Sequence, residues 1–215
     1  MKVVVLGATG NVGAEVVKQA AAAGNDVVAY VRRPEAVVTH DHVRVVKGEL
    51  DDVAGLAAAA TGADAVIVAV TGSVKDGTFM QRYLPSIVDG VVRAGVSRLV
   101  LVSVFGAGDT AGKASGLMRL VYGTVLKKFL ADKVESEKIL PGSGLDYTIV
   151  HPVNLKGAPA LPDAVVKPVD EISKVPGMPT LPFANVAAAL LELASKADGS
   201  GQRLVITTPK AWKPA

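Results

Sequence analysis

The sequence predicts one α/β domain built on a doubly wound, mainly parallel sheet, and three observations carry that prediction. Seven short β-branched runs alternate with helix-length segments. The runs are continuous apolar blocks, as strands covered on both faces require. The first run breaks abruptly into glycines at every third position, Gly7, Gly10 and Gly13, which marks a tight strand-to-helix turn.

The elements follow in order. Strands are expected at 2–6 (KVVVL), 26–32, 43–46, 64–70 (DAVIVAV), 98–103, 146–151 and 203–207. Between them, residues 11–23 form an Ala/Val-rich helix that ends at Gly24. A second helix over 52–60 starts after Asp51 as its N-cap and stops at Gly62. A third covers 79–94 and ends at Gly95. The longest helical segment, 117–140, is broken at Gly123, and the last, 184–197, ends in the turn ADGSG. Strands alternating with helices give βαβ units and hence a parallel sheet. Residues 155–182 carry Pro159, Pro162, Pro168, Pro176, Pro179 and Pro182, which excludes a long helix or a central strand. This stretch reads as an insertion capping the substrate side within a single domain, 1–215, with room for a short edge strand near 164–167. The tail PKAWKPA reads as poorly ordered.

Composition limits the function. Half of the 215 residues are hydrophobic, and the formal net charge is only +3. That tolerates an anionic small molecule without calling for nucleic acid. There is no cysteine, so thiol chemistry and disulfides are excluded. No apolar run approaches the roughly 20 residues that span a bilayer, and the apolar run after Lys2 is too short for a signal segment. A cytoplasmic protein acting on a small molecule is expected, as a monomer or homodimer, with no membrane and no nucleic-acid partner.

The glycine turn indicates a ligand. Gly7 permits the sharp turn, Gly10 removes a Cβ where backbone must approach an oxyanion, and Gly13 lets the helix pack close to the sheet. The first-turn N–H groups near Asn11 lack intrahelical partners and form a phosphate site, to which Thr9 and Asn11 can add side-chain donors. The other reading is a turn that only packs. After the second strand, where a carboxylate holds the ribose of NAD, stand Arg32 and Arg33. Guanidinium groups match a 2′-phosphate, so NADP(H) is favoured over NAD(H), the alternative being a solvated arginine pair.

GATGNVG, VRRP at 31–34, GELDD at 48–52 and KVESEKILPGSGLDYTIVHPVNL at 133–155 resemble the atypical short-chain dehydrogenase/reductases. The group most similar is the NAD(P)H-binding, NmrA-like and biliverdin reductase B/flavin reductase-like proteins. The resemblance implies a Rossmann-like fold and a cofactor path. Thr9, Asn11 and Val12 would meet the pyrophosphate, Arg32 and Arg33 the 2′-phosphate, and Glu49 and Leu50 would flank adenine, with Glu49 replacing the family's usual Asp. Val70 and Thr71 would line the adenosine side. Ser103 and Lys133 would stand at the nicotinamide ribose as the candidate catalytic residues. Pro152, Val153 and Asn154 would face the nicotinamide amide.

Typical members of the wider superfamily use a Tyr-x-x-x-Lys pair, in which the lysine lowers the tyrosine pKa. Here Phe129 holds the tyrosine position before Lys133, and the residue four after Tyr122 is Leu126. Two outcomes follow: an NADPH-dependent reductase of a planar acceptor of flavin, quinone or tetrapyrrole type, with the proton from water, or a redox-sensing NADP(H) regulator of NmrA type. A sugar-nucleotide epimerase fits poorly with the short chain and the missing pair. His151 at a strand end is a possible proton donor or a packed imidazole. His40 and His42 lie in a surface turn without acidic partners, and no metal site is expected. In 113–133 the apolar face is expected to pack on the sheet, with Lys127 and Lys128 solvated.

Overall fold

The computed structural model describes residues 1–38, 40–196 and 201–215. Eight strands form one sheet. They are β1 (Lys2–Leu6), β2 (Asp26–Val31), β3 (Val43–Lys47), β4 (Ala65–Val68), β5 (Arg98–Val102), β6 (Asp146–Pro152), β8 (Val165–Pro168) and β11 (Gln202–Thr207). Their spatial order is β3-β2-β1-β4-β5-β6-β11-β8. All neighbours are parallel except β8, which runs antiparallel to β11 at the edge. The remaining strands make two small pairs: β7 (Asn154–Lys156) with β10 (Thr180–Pro182), and β9 (Ile172–Lys174) with β12 (Lys213–Pro214). The fold is the expected single-domain, Rossmann-like α/β architecture.

Each strand feeds both faces of the sheet, because successive side chains point to opposite sides. Val3 and Val5 join one core layer with Val16, Val17 and Leu190, under α1 (Asn11–Ala22) and α6 (Phe183–Ser195). Val4 and Leu6 join the other with Leu56, Leu84 and Ile87, under α2 (Val53–Ala60) and α3 (Phe79–Arg93). This two-sided burial is why the strands read as unbroken apolar runs. The long helical segment divides after Gly123 into α4 (Gly116–Gly123) and α5 (Lys127–Glu137). Helix α5 packs on α3, and its buried Asp132 accepts from the backbone N–H groups of Met80 and Gln81 at 2.9 and 3.0 Å. A carboxylate from a neighbouring helix thus serves the orphan donors of α3, whose own Thr78 makes no side-chain cap.

Four expectations are corrected. The N-cap of α2 is Asp52, not Asp51: its Oδ1 accepts from Gly55 N–H at 2.9 Å. The C-terminal tail is ordered by pairing, since β12 lies against β9, Trp212 packs on the core, and Lys167 Nζ stands 5.8 Å from its ring centroid. His42 has an acidic neighbour, its Nδ1 lying 3.5 Å from Asp26 Oδ1 on the surface. The apolar face of α4 is only partly covered: Met118 and Tyr122 are buried, while Leu117 and Leu120, with Val125 just beyond, stay open to solvent. The expected turn at 197–200 lies outside the described residues. Among the described residues no helix is long and apolar enough to cross a membrane.

Candidate functional site

The strand order reverses direction between β1 and β4, and a crevice opens there at the carboxyl ends of the strands. The glycine turn forms its floor. Gly7 adopts φ +86°, and a Cβ on it would meet the Ala69 carbonyl oxygen at 2.4 Å. A Cβ on Gly13 would lie 2.1 Å from the Gly7 carbonyl oxygen, so the helix approaches the turn more closely than any side chain allows. Gly10 differs, for its added Cβ would meet only Gly7 O, at 3.2 Å. Gly10 precedes α1, makes no side-chain cap, and is followed by a first turn without acidic residues. The positive end of the helix therefore opens on the crevice without an internal counter-anion.

Two cavities flank this turn. The first, about 190 Å3, is lined by Gly7, Thr9 and Gly10, by Arg32 and Arg33 beyond β2, and by Leu50, Val70 and Thr71. Neither guanidinium makes an ion pair or hydrogen bond among the described residues. Tyr30 and Phe79, which sequence reasoning did not single out, complete the wall. Glu49 does not join it. Its side chain is exposed, and its carbonyl accepts from Tyr30 Oη at 3.2 Å.

The second cavity, about 370 Å3, brings together Asn11, Val12, Ser103, Lys133, Pro152, Val153 and Asn154. Its apolar wall is aromatic: Phe105, Tyr122, Phe129 and Phe183. All four lie outside the quoted motifs; sequence reasoning reaches only Phe129 and Tyr122, and only as candidates for the tyrosine position before Lys133. Lys133 is buried at 3% exposure, with Nζ 5.8 Å over the Phe129 ring. Burial pulls its ammonium down to about 8, against the opposing pull of Asp132 and Glu137. Ser103 Oγ donates to the buried carboxylate of Glu137. Burial pushes that carboxyl up, opposed by Ser103, Arg203 and Lys133. Glu137 stands four residues after Lys133 inside the quoted 133–155 stretch, where nothing in the sequence ties it to Ser103.

His151 lines neither cavity and is fully buried. Its Nδ1–H donates to the Val104 carbonyl at 3.2 Å, and Nε2 has no partner among the described residues. Burial, with Arg203 nearby, pulls it down to about 4, so it is a neutral packed imidazole. Among the described residues no group of three or more His, Asp or Glu is placed to hold a metal ion.

The donor set fits a dinucleotide: an uncapped helix end and a Cβ-free backbone for a diphosphate, two guanidinium groups beside it that are unpaired among the described residues, and a buried hydroxyl and ammonium further along. Comparison with known proteins agrees. Residues 7–197 match the NAD(P)H-binding family. The chain is similar to ChuY, an anaerobilin reductase from Escherichia coli O157:H7, with 27% identity, full coverage of both chains and a TM-score of 0.79. It is similar in fold to the oxidoreductase ylbE from Lactococcus lactis, with 22% identity, coverage of 99% and 93% and a TM-score of 0.80. It is also similar in fold to a short-chain dehydrogenase/reductase from Veillonella parvula in complex with NADP, with 20% identity, coverage of 99% and 96% and a TM-score of 0.78. An uncharacterized chloroplastic protein from Arabidopsis thaliana is 29% identical over 187 residues, 80% of this chain and 65% of that protein's length.

Proposed function

The chain belongs to the NAD(P)H-binding family, and on that footing we propose that it is an NADPH-dependent reductase of a small planar acceptor of flavin, quinone or tetrapyrrole type. The observation that carries this reading is the second cavity. Its aromatic wall suits a flat conjugated ring, which stacks on such side chains, and Phe129 fills the position from which a tyrosine would serve an alcohol or ketone. The likeness to an anaerobilin reductase supports reduction as the activity.

When bound, the nicotinamide supplies a hydride. The residues of this chain bind, orient and exclude water. Thr9, Asn11 and Val12, at the amino end of α1, take the diphosphate, and Gly7 and Gly10 keep its approach open. Arg32, with Arg33, meets the 2′-phosphate and sets the preference for NADP(H) over NAD(H); the NADP complex of a similar fold supports that choice. Leu50, Val70 and Thr71 hold the adenosine. Lys133 and Ser103 hold the ribose, and Pro152, Val153 and Asn154 the amide. From the 155–182 segment, Leu155 lines the acceptor side. Orientation of two reactants in a dry slot provides much of the rate without further covalent chemistry.

A second reading is an NADP(H)-sensing regulator with little turnover. It is favoured by the exposed Leu117, Leu120 and Val125 beside the cavity mouth, an apolar surface suited to a partner. NADPH oxidation across flavin, quinone and tetrapyrrole panels separates the two. Turnover supports the reductase; tight, redox-dependent nucleotide binding without turnover supports the regulator.

A further inference from the structure

With no tyrosine beside Lys133, the reductase reading draws the acceptor's proton from water but names no group that passes it to the acceptor. Ser103 brings a hydroxyl to the wall of the second cavity, and behind it lies Glu137, 7% exposed, one helical turn beyond Lys133 on α5. On its other side Glu137 Oε2 stands 3.8 Å from Arg203 Nη2. Arg203 makes its close ion pair elsewhere, to Asp109 at 2.7 Å, so Glu137 is only loosely compensated. Arg203 and Asp109 line a separate open cavity of about 430 Å3 that shares no residue with the other two. A chain of exchangeable groups thus runs from open solvent through Arg203 and Glu137 to Ser103 and the cavity.

We propose that Ser103 and Glu137 are the proton-delivery pair of this site: the Ser103 hydroxyl protonates the acceptor and is refilled from the Glu137 carboxyl. The inference rests on the reductase reading. The nicotinamide supplies the hydride and its two electrons; the chain supplies the proton. The Ser103 O–H bond breaks as the acceptor's new bond to hydrogen forms, and the Glu137 O–H bond breaks as the serine hydroxyl re-forms. Glu137 is left as a carboxylate, and a proton taken up from bulk solvent and passed along water beside Arg203 restores it. A protonated Glu137 donates to Ser103, reversing the hydrogen bond of the ionised state and freeing the serine hydrogen to point into the cavity. The charged and titratable groups facing Glu137 are Lys133 on its own helix, Arg203 on β11 and Asp109 on the 3₁₀ segment Gly108–Lys113. The neutral His151 on β6 stands within the influence of the same Arg203 and Asp109. Burial, with Asp109, opposes ionisation of Glu137 and outweighs the Ser103 hydrogen bond and the two cations.

Infrared difference spectra of the unligated protein test this without turnover. Wild type is expected to show a protonated-carboxyl stretch that Glu137→Gln lacks and that persists to higher pH than the stretches of the exposed carboxyls; a Glu137 stretch that vanishes together with theirs overturns the proposal. In NADPH oxidation, Glu137→Gln and Ser103→Ala are each expected to lose roughly 10²-fold or more in kcat; nucleotide affinity by calorimetry is expected to be unchanged in Glu137→Gln and to weaken in Ser103→Ala, which loses its contact with the ribose. Wild-type kcat is expected to fall as pH rises through the Glu137 pKa, and this alkaline limb to vanish in Glu137→Gln. A limb that survives in Glu137→Gln but disappears in Lys133→Met assigns the proton to Lys133 and overturns the proposal. Wild type that turns over no acceptor removes the reductase reading and the relay with it. Wild-type turnover matched by both variants removes the relay alone.

Discussion

Two single-methyl substitutions in the glycine turn separate folding from binding. Gly13→Ala places a Cβ 2.1 Å from the Gly7 carbonyl oxygen and 2.6 Å from its carbon. Both obstacles are backbone, so no rotamer relieves the clash, and α1 must move off β1. Overpacking ordinarily costs about 1–3 kcal/mol, and a backbone clash belongs at the upper end. At about 2–4 °C per kcal/mol for a chain of this size, about 3 kcal/mol lowers Tm by roughly 6–12 °C. Gly10→Ala meets one atom at 3.2 Å from a φ of −87°, which alanine adopts freely. Its stability is expected to stay within about 1 kcal/mol, because reduced unfolded-state entropy offsets the tight contact. On the proposed placement of the diphosphate at the helix end the new methyl stands in its way, so NADPH affinity is expected to fall ~10-fold or more, about 1.4 kcal/mol. Differential scanning calorimetry and titration calorimetry on both variants decide it. Gly13→Ala melting with wild type would refute the packing argument, and Gly10→Ala binding NADPH with wild-type affinity would refute the placement of the diphosphate.

Arg32→Glu converts a charge-assisted contact into a repulsion and is expected to lower NADP affinity strongly while sparing NAD, as measured by calorimetry with both nucleotides; equal losses would place Arg32 elsewhere. Asp132→Ala strands two N–H groups of α3 and is expected to cost roughly 2–3 kcal/mol in urea unfolding, with Asp132→Asn recovering part. His151 titrates near 4 folded and 6.5 unfolded. The unfolded chain therefore takes up the proton first, and stability is full above pH 6.5 and falls as pH drops towards 4. The loss approaches about 3 kcal/mol, and His151→Gln is expected to flatten that window relative to wild type in urea titrations at pH 7 and 4.5.

The sheet was legible because burial on both faces leaves unbroken β-branched runs, and the crevice because Gly7, Gly10 and Gly13 answer to backbone geometry rather than to packing partners. The edge strand β8 showed itself through proline, which is confined to edges. The aromatic wall was not legible: Phe105 lies outside the predicted elements, Tyr122 lies in a predicted helix whose docking the sequence leaves open, and their convergence depends on how α4 and the preceding turn fold back. The tail misled because PKAWKPA carries no run of apolar residues, yet Trp212 and two backbone pairings suffice to dock it. Asp51 and Asp52 are equivalent as letters, and only the chain direction entering α2 selects the second. Glu137 looked like a motif letter because its partners, Ser103 and Arg203, are distant in sequence.

The two basins on either side of the glycine turn share a ridge made of Gly10, Ala69, Val70 and Thr71. A molecule spanning the ridge gains from both basins at once, each half raising the effective concentration of the other. A fragment such as adenosine 2′,5′-bisphosphate would settle in the arginine-lined basin alone. It would exclude the full dinucleotide while leaving the aromatic basin open, and so act as a dead-end competitor against nucleotide but not against acceptor.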